Sequence, residues 1–400
     1  MKPSLRLAFA ILAPLALLAG LILIVLRTGP ADALKPAGAP PVERLAIGRV
    51  ELTPNGMIVH VLNDGPDQVA IAQVQVDNAY WRFEADSGTV LSHLARTALR
   101  IPYPWVAGEA HRVRIVTSSG ATFEREIPVA VETPRPSVHF VAVFALIGLY
   151  VGVIPVAIGI LWFPLLKTIS ERAFDFLLAL TIGLLLFLIV DATAEGFEVA
   201  GALPQSYQGV ALFVLAAVAA FLGLSSLGRW LKERRGTRPE DAAGAVLALL
   251  IAVGIGLHNL GEGLAIGAAF ALGQTVLGSL LIVGFTLHNT TEGIAIVAPL
   301  ARRRAATPGG RVAPLQLVGL GAIGGIPTIA GALLGGFVYS PVWSLFFLGF
   351  GVGAIAQVVV QILGQMARNE PLVASLTSRP VIAGLFAGFV AMYATGLLIG

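Results

Sequence analysis

Two stretches of the chain repeat one ionisable pattern. Leu257-His258-Asn259-Leu260-Gly261-Glu262-Gly263-Leu264-Ala265-Ile266 and Leu287-His288-Asn289-Thr290-Thr291-Glu292-Gly293-Ile294-Ala295-Ile296 agree at seven of ten positions, at an offset of thirty residues. In each, His and Glu stand four apart, so on a helix they share a face. Both stretches lie in apolar runs, where a glutamate costs about 2.5 kcal/mol or more unless it is paired or coordinated. A divalent cation would supply the missing charge to two glutamates and two histidines at matched depth. The chain has no cysteine, so thiolate sites and disulfides are excluded and imidazole and carboxylate are the ligands left. That mixture suits zinc, and iron(II), manganese, cobalt and cadmium are also compatible with it. For one His–Glu pair alone, a hydrogen-bonded lock between packed helices would serve equally well. Duplication on neighbouring helices favours a shared metal site built from His258, Glu262, His288 and Glu292.

The elements that must position these side chains are membrane spans. Hydrophobic residues make up 56% of the 400 positions and charged residues only 12%, against roughly 25% in a soluble domain. The mean hydropathy is +0.84. From residue 138 onward eight apolar runs of bilayer length can be marked, at 138–163, 174–192, 208–228, 242–270, 275–300, 313–338, 342–366 and 380–399. The fourth and fifth carry the repeated motif and are joined by a short loop, so they are antiparallel neighbours. Arg229, Lys232, Arg234, Arg235 and Arg238 follow the third run, and Arg302, Arg303, Arg304 and Arg311 follow the fifth, whereas 196–207, 271–274 and 339–341 have no Lys or Arg. This asymmetry predicts a multi-pass protein of the cytoplasmic (inner) membrane, with those basic loops inside and residues 30–137 and the C-terminus outside. It also accounts for the net charge of +3 and pI of 9.4 without nucleic acid, which is excluded as a partner.

Residues 1–30 hold an apolar run at 7–26 preceded by Lys2 and Arg6. It is long for a signal core, which predicts an uncleaved anchor, although Ala31-Asp32-Ala33 would suit a cleavage site. Residues 42–132 differ in kind. β-rich runs such as Met57–Leu62, Val69–Val76 and His111–Thr117 alternate with turn signals such as Asp64-Gly65 and Ser118-Ser119-Gly120. That spacing predicts a small all-β sandwich of immunoglobulin-like type outside the cytoplasm. The stretch Thr133-Pro134-Arg135-Pro136 reads as the linker to a transport domain at 138–400.

With these residues in view, the chain resembles the ZIP family of metal transporters over its eight spans. The likeness is most specific at His258-Asn259-x-x-Glu262-Gly263 and at the His288-led motif ending in Glu292. It implies an eight-helix core, a mid-membrane centre and metal uptake toward the cytoplasm by alternating access. By position it assigns His258, Glu262, His288 and Glu292 to the family's primary site, and Asn259 and Glu292 to part of a secondary one. Two departures weaken that second site. Asn289 stands where many members carry an acid, and Thr328 in Gly324-Gly325-Ile326-Pro327-Thr328 replaces the sixth-span glutamate. Amide and hydroxyl are weak ligands for a transition metal, so one strong site is expected.

Secondary candidates are Asp191 and Glu195, with Glu198, at the outer end of the second run, where they would attract cations or simply face water. Gln361, with Gln357 and Gln365, forms a stripe in the seventh that could line the path or bond a neighbouring helix. His60, His93 and His111 in the outer domain share no ligand spacing and read as satisfied or surface groups. Three function classes compete. A transporter fits best. A membrane metal sensor or receptor would use the β-domain to bind an unidentified partner. An intramembrane metalloenzyme lacks His-Glu-x-x-His support, so no enzyme is expected, and the absence of G-x-x-x-x-G-K-[ST] argues against ATP-driven transport. The metal ion and the lipid bilayer are the expected partners; a homodimer is left open.

Overall fold

The computed structural model describes residues 13–21, 23–24, 41–135, 137–166, 168–234, 239–271, 275–306, 312–337, 340–366 and 372–397. The Ala31-Asp32-Ala33 stretch and the loop arginines Arg235, Arg238 and Arg311 lie outside them. Residues 13–21 and 23–24, within the expected anchor, are helical.

The β-domain is an antiparallel region of two sheets around one core. Strands β1 (Leu45–Thr53), β2 (Gly56–Asn63), β7 (Arg96–Ile101) and β5 (Glu84–Ala85) form one sheet in the order β1-β2-β7-β5. The other runs β4 (Ala79–Trp81), β3 (Val69–Val76), β8 (His111–Thr117), β9 (Thr122–Ile127), with β6 (Val90–Leu91) paired to β3. Period-2 alternation drives this: Val59, Val61, Leu99, Val113 and Ile115 are fully or almost fully buried between the sheets while their neighbours point outward. Asp77 and Asn78 sit at φ 51° and 67°, the left-handed pair that a two-residue hairpin between β3 and β4 requires.

Seven helices among the described residues are long and apolar enough to cross a membrane: Val138–Leu166, Glu171–Gly201, Gln205–Leu231, Gly244–Ala271, Leu277–Ala301, Pro314–Phe337 and Pro341–Gly364. They point to a multi-pass membrane protein. The eighth expected run falls on a shorter apolar helix, Arg379–Ala394. The first span comprises α1 (Val138–Gly148), a π-helical turn at Leu149–Val153, α2 (Ile154–Leu161) and α3 (Phe163–Leu166). The helices that follow are α4 (Glu171–Ala202), α5 (Gly209–Arg234), α6 (Pro239–Ala271), α7 (Thr275–Ala306), α8 (Pro314–Phe337), α9 (Pro341–Met366), α10 (Leu372–Leu376) and α11 (Arg379–Leu397).

α6 is the innermost helix, with 72% of its apolar window buried, and it packs against α7, α8 and α9. Its crossing with α8 is set by absent side chains. A Cβ on Gly263 would overlap the Thr328 carbonyl oxygen, and one on Gly331 would overlap that of Leu260, so the backbones touch, as small residues permit in apolar surroundings. Gly159 of α2 and Gly293 of α7 meet in the same way.

The β-domain is tied to the bundle at the turn between α4 and α5. Asp64 Oδ2 accepts from Gln205 N–H at 2.8 Å, and its Oδ1 accepts from Ser206 N–H at 3.3 Å and Ser206 Oγ at 2.7 Å. Arg44 donates to Gln205 Oε1 at 2.5 Å, and Arg96 to the Tyr207 hydroxyl.

Candidate metal centre

His258 and Glu262 lie one turn apart on α6; His288 and Glu292 lie one turn apart on α7. The packed glycines hold α6 and α7 against α8 and α2, so their shared face points inward. All four side chains are buried, at 7%, 4%, 5% and 3% exposure. His258, Glu262 and His288 converge: each offers a ligand atom, and those atoms lie within 4.8 Å of one another. His288 Nε2 is 2.5 Å from Glu262 Oε1. His258 Nε2 is 3.2 Å from the same oxygen, a charge contact without a well-aligned hydrogen bond. The two imidazoles are tilted by 36° with centroids 6.3 Å apart.

Glu292, the fourth expected ligand, is outside this three-residue group. It is within electrostatic reach of Glu262, His258 and His288. Neither of its oxygens finds a hydrogen bond of sound geometry among the described residues, although the Asn259 amide is beside it.

The two asparagines hold the site's frame. The Asn289 Nδ2 amide donates to Glu262 Oε2 at 3.0 Å and to the Val151 carbonyl at 3.1 Å. Val151 belongs to the π-helical turn, and the α-helical donor to its carbonyl would be residue 155, which is proline and has no N–H. The freed carbonyl therefore anchors Asn289, which in turn orients Glu262. Asn259 donates to the Gly324 carbonyl at 3.0 Å, near Pro327 inside α8. Thr328 is fully buried with its hydroxyl unpartnered.

Those surroundings suit a cation. The buried atoms without partners here include Glu292 Oε1 and Oε2, Asn259 Oδ1, Asn289 Oδ1 and Thr328 Oγ1, all able to accept. Donor atoms placed tetrahedrally around zinc at its usual bond lengths sit about 3.4 Å apart. The His258–Glu262 separation of 3.2 Å already matches, and His288 would move away from Glu262 by about one ångström. Two nitrogens and one oxygen account for three of the four positions of a tetrahedral site.

The secondary candidates lie outside the three-residue group. Asp191 and Glu195 are exposed on α4, with Glu195 within electrostatic reach of His258 and Glu262. They are not at a helix end as expected, because α4 continues to Ala202 and stops where Leu203 becomes extended before Pro204. Gln361 is half-buried beside Gly228 of α5. Gln357 is buried at 3% exposure with Oε1 unpartnered. The β-domain histidines each have a protein partner: His60 bonds Glu51 at 3.0 Å, His93 the Gly65 carbonyl at 2.7 Å and His111, through Nδ1, Asp77 at 2.7 Å, with its Nε2 buried and unpartnered. The Val151 carbonyl was the contributor that residue types did not reveal. Its signal was Pro155, four residues on. No family model matches the sequence, and no curated protein matches it.

Proposed function

We propose that the chain transports divalent metal ions, zinc first among them, toward the cytoplasm as a ZIP-type transporter. The observation that carries this reading is the meeting of His258, Glu262 and His288 within 4.8 Å, buried on two apolar helices. In this reading the eighth span is α11, the basic loops are cytoplasmic and the β region is an immunoglobulin-like outer module. Glu262 and the two imidazoles replace the ion's water, and Glu292 swings in as the fourth ligand while the metal is held. Movement of α6 and α7 against the surrounding helices then opens the opposite side, as at midplane sites in alternating access. Histidines and carboxylates must be deprotonated to bind metal, so release can be coupled to proton uptake. The departures at Asn289 and Thr328 support a single ion, since both contribute neutral groups.

Metal uptake into sealed proteoliposomes tests this. The wild type should accumulate zinc, and His258→Ala should not, with unchanged elution and melting behaviour. Stoichiometric metal binding with no accumulation would defeat transport and favour a membrane sensor that uses the β-domain for its partner.

A further inference from the structure

The β-domain contains a cleft of about 880 Å³ between its two sheets, within the range of small-ligand sites. It is lined by Tyr80, Trp81, Arg82, Phe83, Arg100 and Arg135 among others. Its polar inventory is lopsided. The Trp81 indole N–H is buried without a partner, and neither Arg82 nor Arg135 has an ion pair or hydrogen bond among the described residues. Arg100 is held in place by Asp86 through two bonds of 2.9 and 3.1 Å, from Nε and one terminal nitrogen. Glu84 is the one carboxylate in the lining. Guanidinium and indole groups can only donate, so the matching ligand is rich in acceptors and negative.

The position of the cleft narrows the source. Arg135 is three residues before Val138, where the first apolar span begins, a distance of about 10 Å at most along the chain. Leu52 and Thr133 exchange two hydrogen bonds of 2.9 Å, through the Thr133 hydroxyl and backbone N–H, which fixes that linker to β1 at the same end of the sheet. If the apolar helices lie in a bilayer, the cleft opens at headgroup level. Tyr80 there is 68% exposed, with Trp81 and Phe83 alongside, the aromatic types that favour the membrane–water interface. Arginine forks bind phosphate in bidentate fashion.

We propose that this cleft binds the phosphate of an anionic phospholipid headgroup from the leaflet facing the β-domain, through Arg82 and Arg135. The site needs the membrane reading of the helices and nothing about metal, so its fate is separate from that of the His/Glu centre.

The test uses full-length protein in nanodiscs of phosphatidylcholine alone or of equimolar phosphatidylglycerol and phosphatidylcholine, followed by hydrogen–deuterium exchange. Phosphatidylglycerol should slow exchange at 79–85 in the wild type, and Arg82→Ala and Arg135→Ala should each reduce that protection about fivefold. Exchange in β8 should stay unchanged, showing that the variants fold. Equal protection in both lipids, or protection that survives both substitutions, overturns the proposal. Inorganic phosphate added to phosphatidylcholine discs separates the two sources of phosphate. If it alone reproduces the protection, the lipid source is overturned.

Discussion

The β-domain and the helical bundle differ in which buried polar atoms they leave without a hydrogen bond. In the β-domain the buried side-chain atoms without a hydrogen bond among the described residues are nitrogens: Arg49 Nε, Trp81 Nε1 and His111 Nε2. In the bundle they are oxygens, on Asn259, Asn289, both arms of Glu292, Thr328 and Gln357, with His258 Nε2 the exception. Unsatisfied polar atoms are costly in a low-dielectric interior and are kept where a ligand completes them. The oxygen-rich set in the bundle surrounds the His/Glu group that could hold a metal ion, and the β-domain has no matching set of acceptors among the described residues.

The comparison is broken most directly at Glu262, which receives His288 on one oxygen and Asn289 on the other. Glu262→Ala should abolish metal binding, at least about a hundredfold in affinity given that orienting groups alone cost 10–100-fold, measured by isothermal titration and uptake. Binding within threefold of wild type would remove the centre from this face of α6.

Glu292→Gln sharpens the contrast. Replacing an unpartnered buried carboxylate by a neutral amide should raise metal-free stability by about 1–3 kcal/mol and weaken zinc binding, a trade visible as a higher melting temperature without metal and a smaller shift with it. A lower melting temperature without metal would mean that Glu292 has a structural partner.

Asp64→Ala tests the join between the regions. Losing the acceptor for Gln205 and Ser206 should cost about 2 kcal/mol locally, read as faster amide exchange at 203–209 with the β core unaffected. Unchanged exchange there would mean the two regions are held by other contacts.

The smallest effect is on pH, and it is confined to the β-domain. Burial pushes the Asp77 carboxyl up, but donation from the Arg112 N–H, Tyr103 and His111 outweighs it and holds the group below its ordinary 3.8. A lowered folded value means stability that is present above 3.8 and lost as pH falls through the folded value. Tyr103, donating to Asp77, is pushed up from 10.0 to about 12, so its contribution is complete below 10.0 and disappears as pH rises toward 12. Tyr103→Phe should flatten the alkaline limb of a β-domain unfolding profile and leave metal binding untouched.

Much of this was legible from residue order. Strand alternation in Met57–Leu62 and His111–Thr117, the apolar runs and the doubled His–Glu spacing are local periodicities, and local periodicity survives in one dimension. Glu292 shows the limit: its spacing from His288 matches that of Glu262 from His258, yet its carboxylate lies outside the converged group, because side-chain rotamer and helix rotation are set by neighbours. The extent of α4 past Glu195 was hidden for a related reason. Charged residues mimic a helix end in sequence, whereas the stop is enforced at Leu203 by the following proline.

By itself the sequence determined that two apolar helices carry matched His and Glu residues on one face, since 3.6-residue periodicity and the cost of buried charge require no coordinates. Only the tertiary structure decided which of those groups meet. Gly263 and Gly331 set how closely α6 and α8 approach, and Pro155 frees the Val151 carbonyl that takes the Asn289 amide and so aims Glu262. Convergence at a few ångströms depends on contacts between residues distant in sequence, 138 positions apart for Val151 and Asn289, and no local pattern encodes those distances.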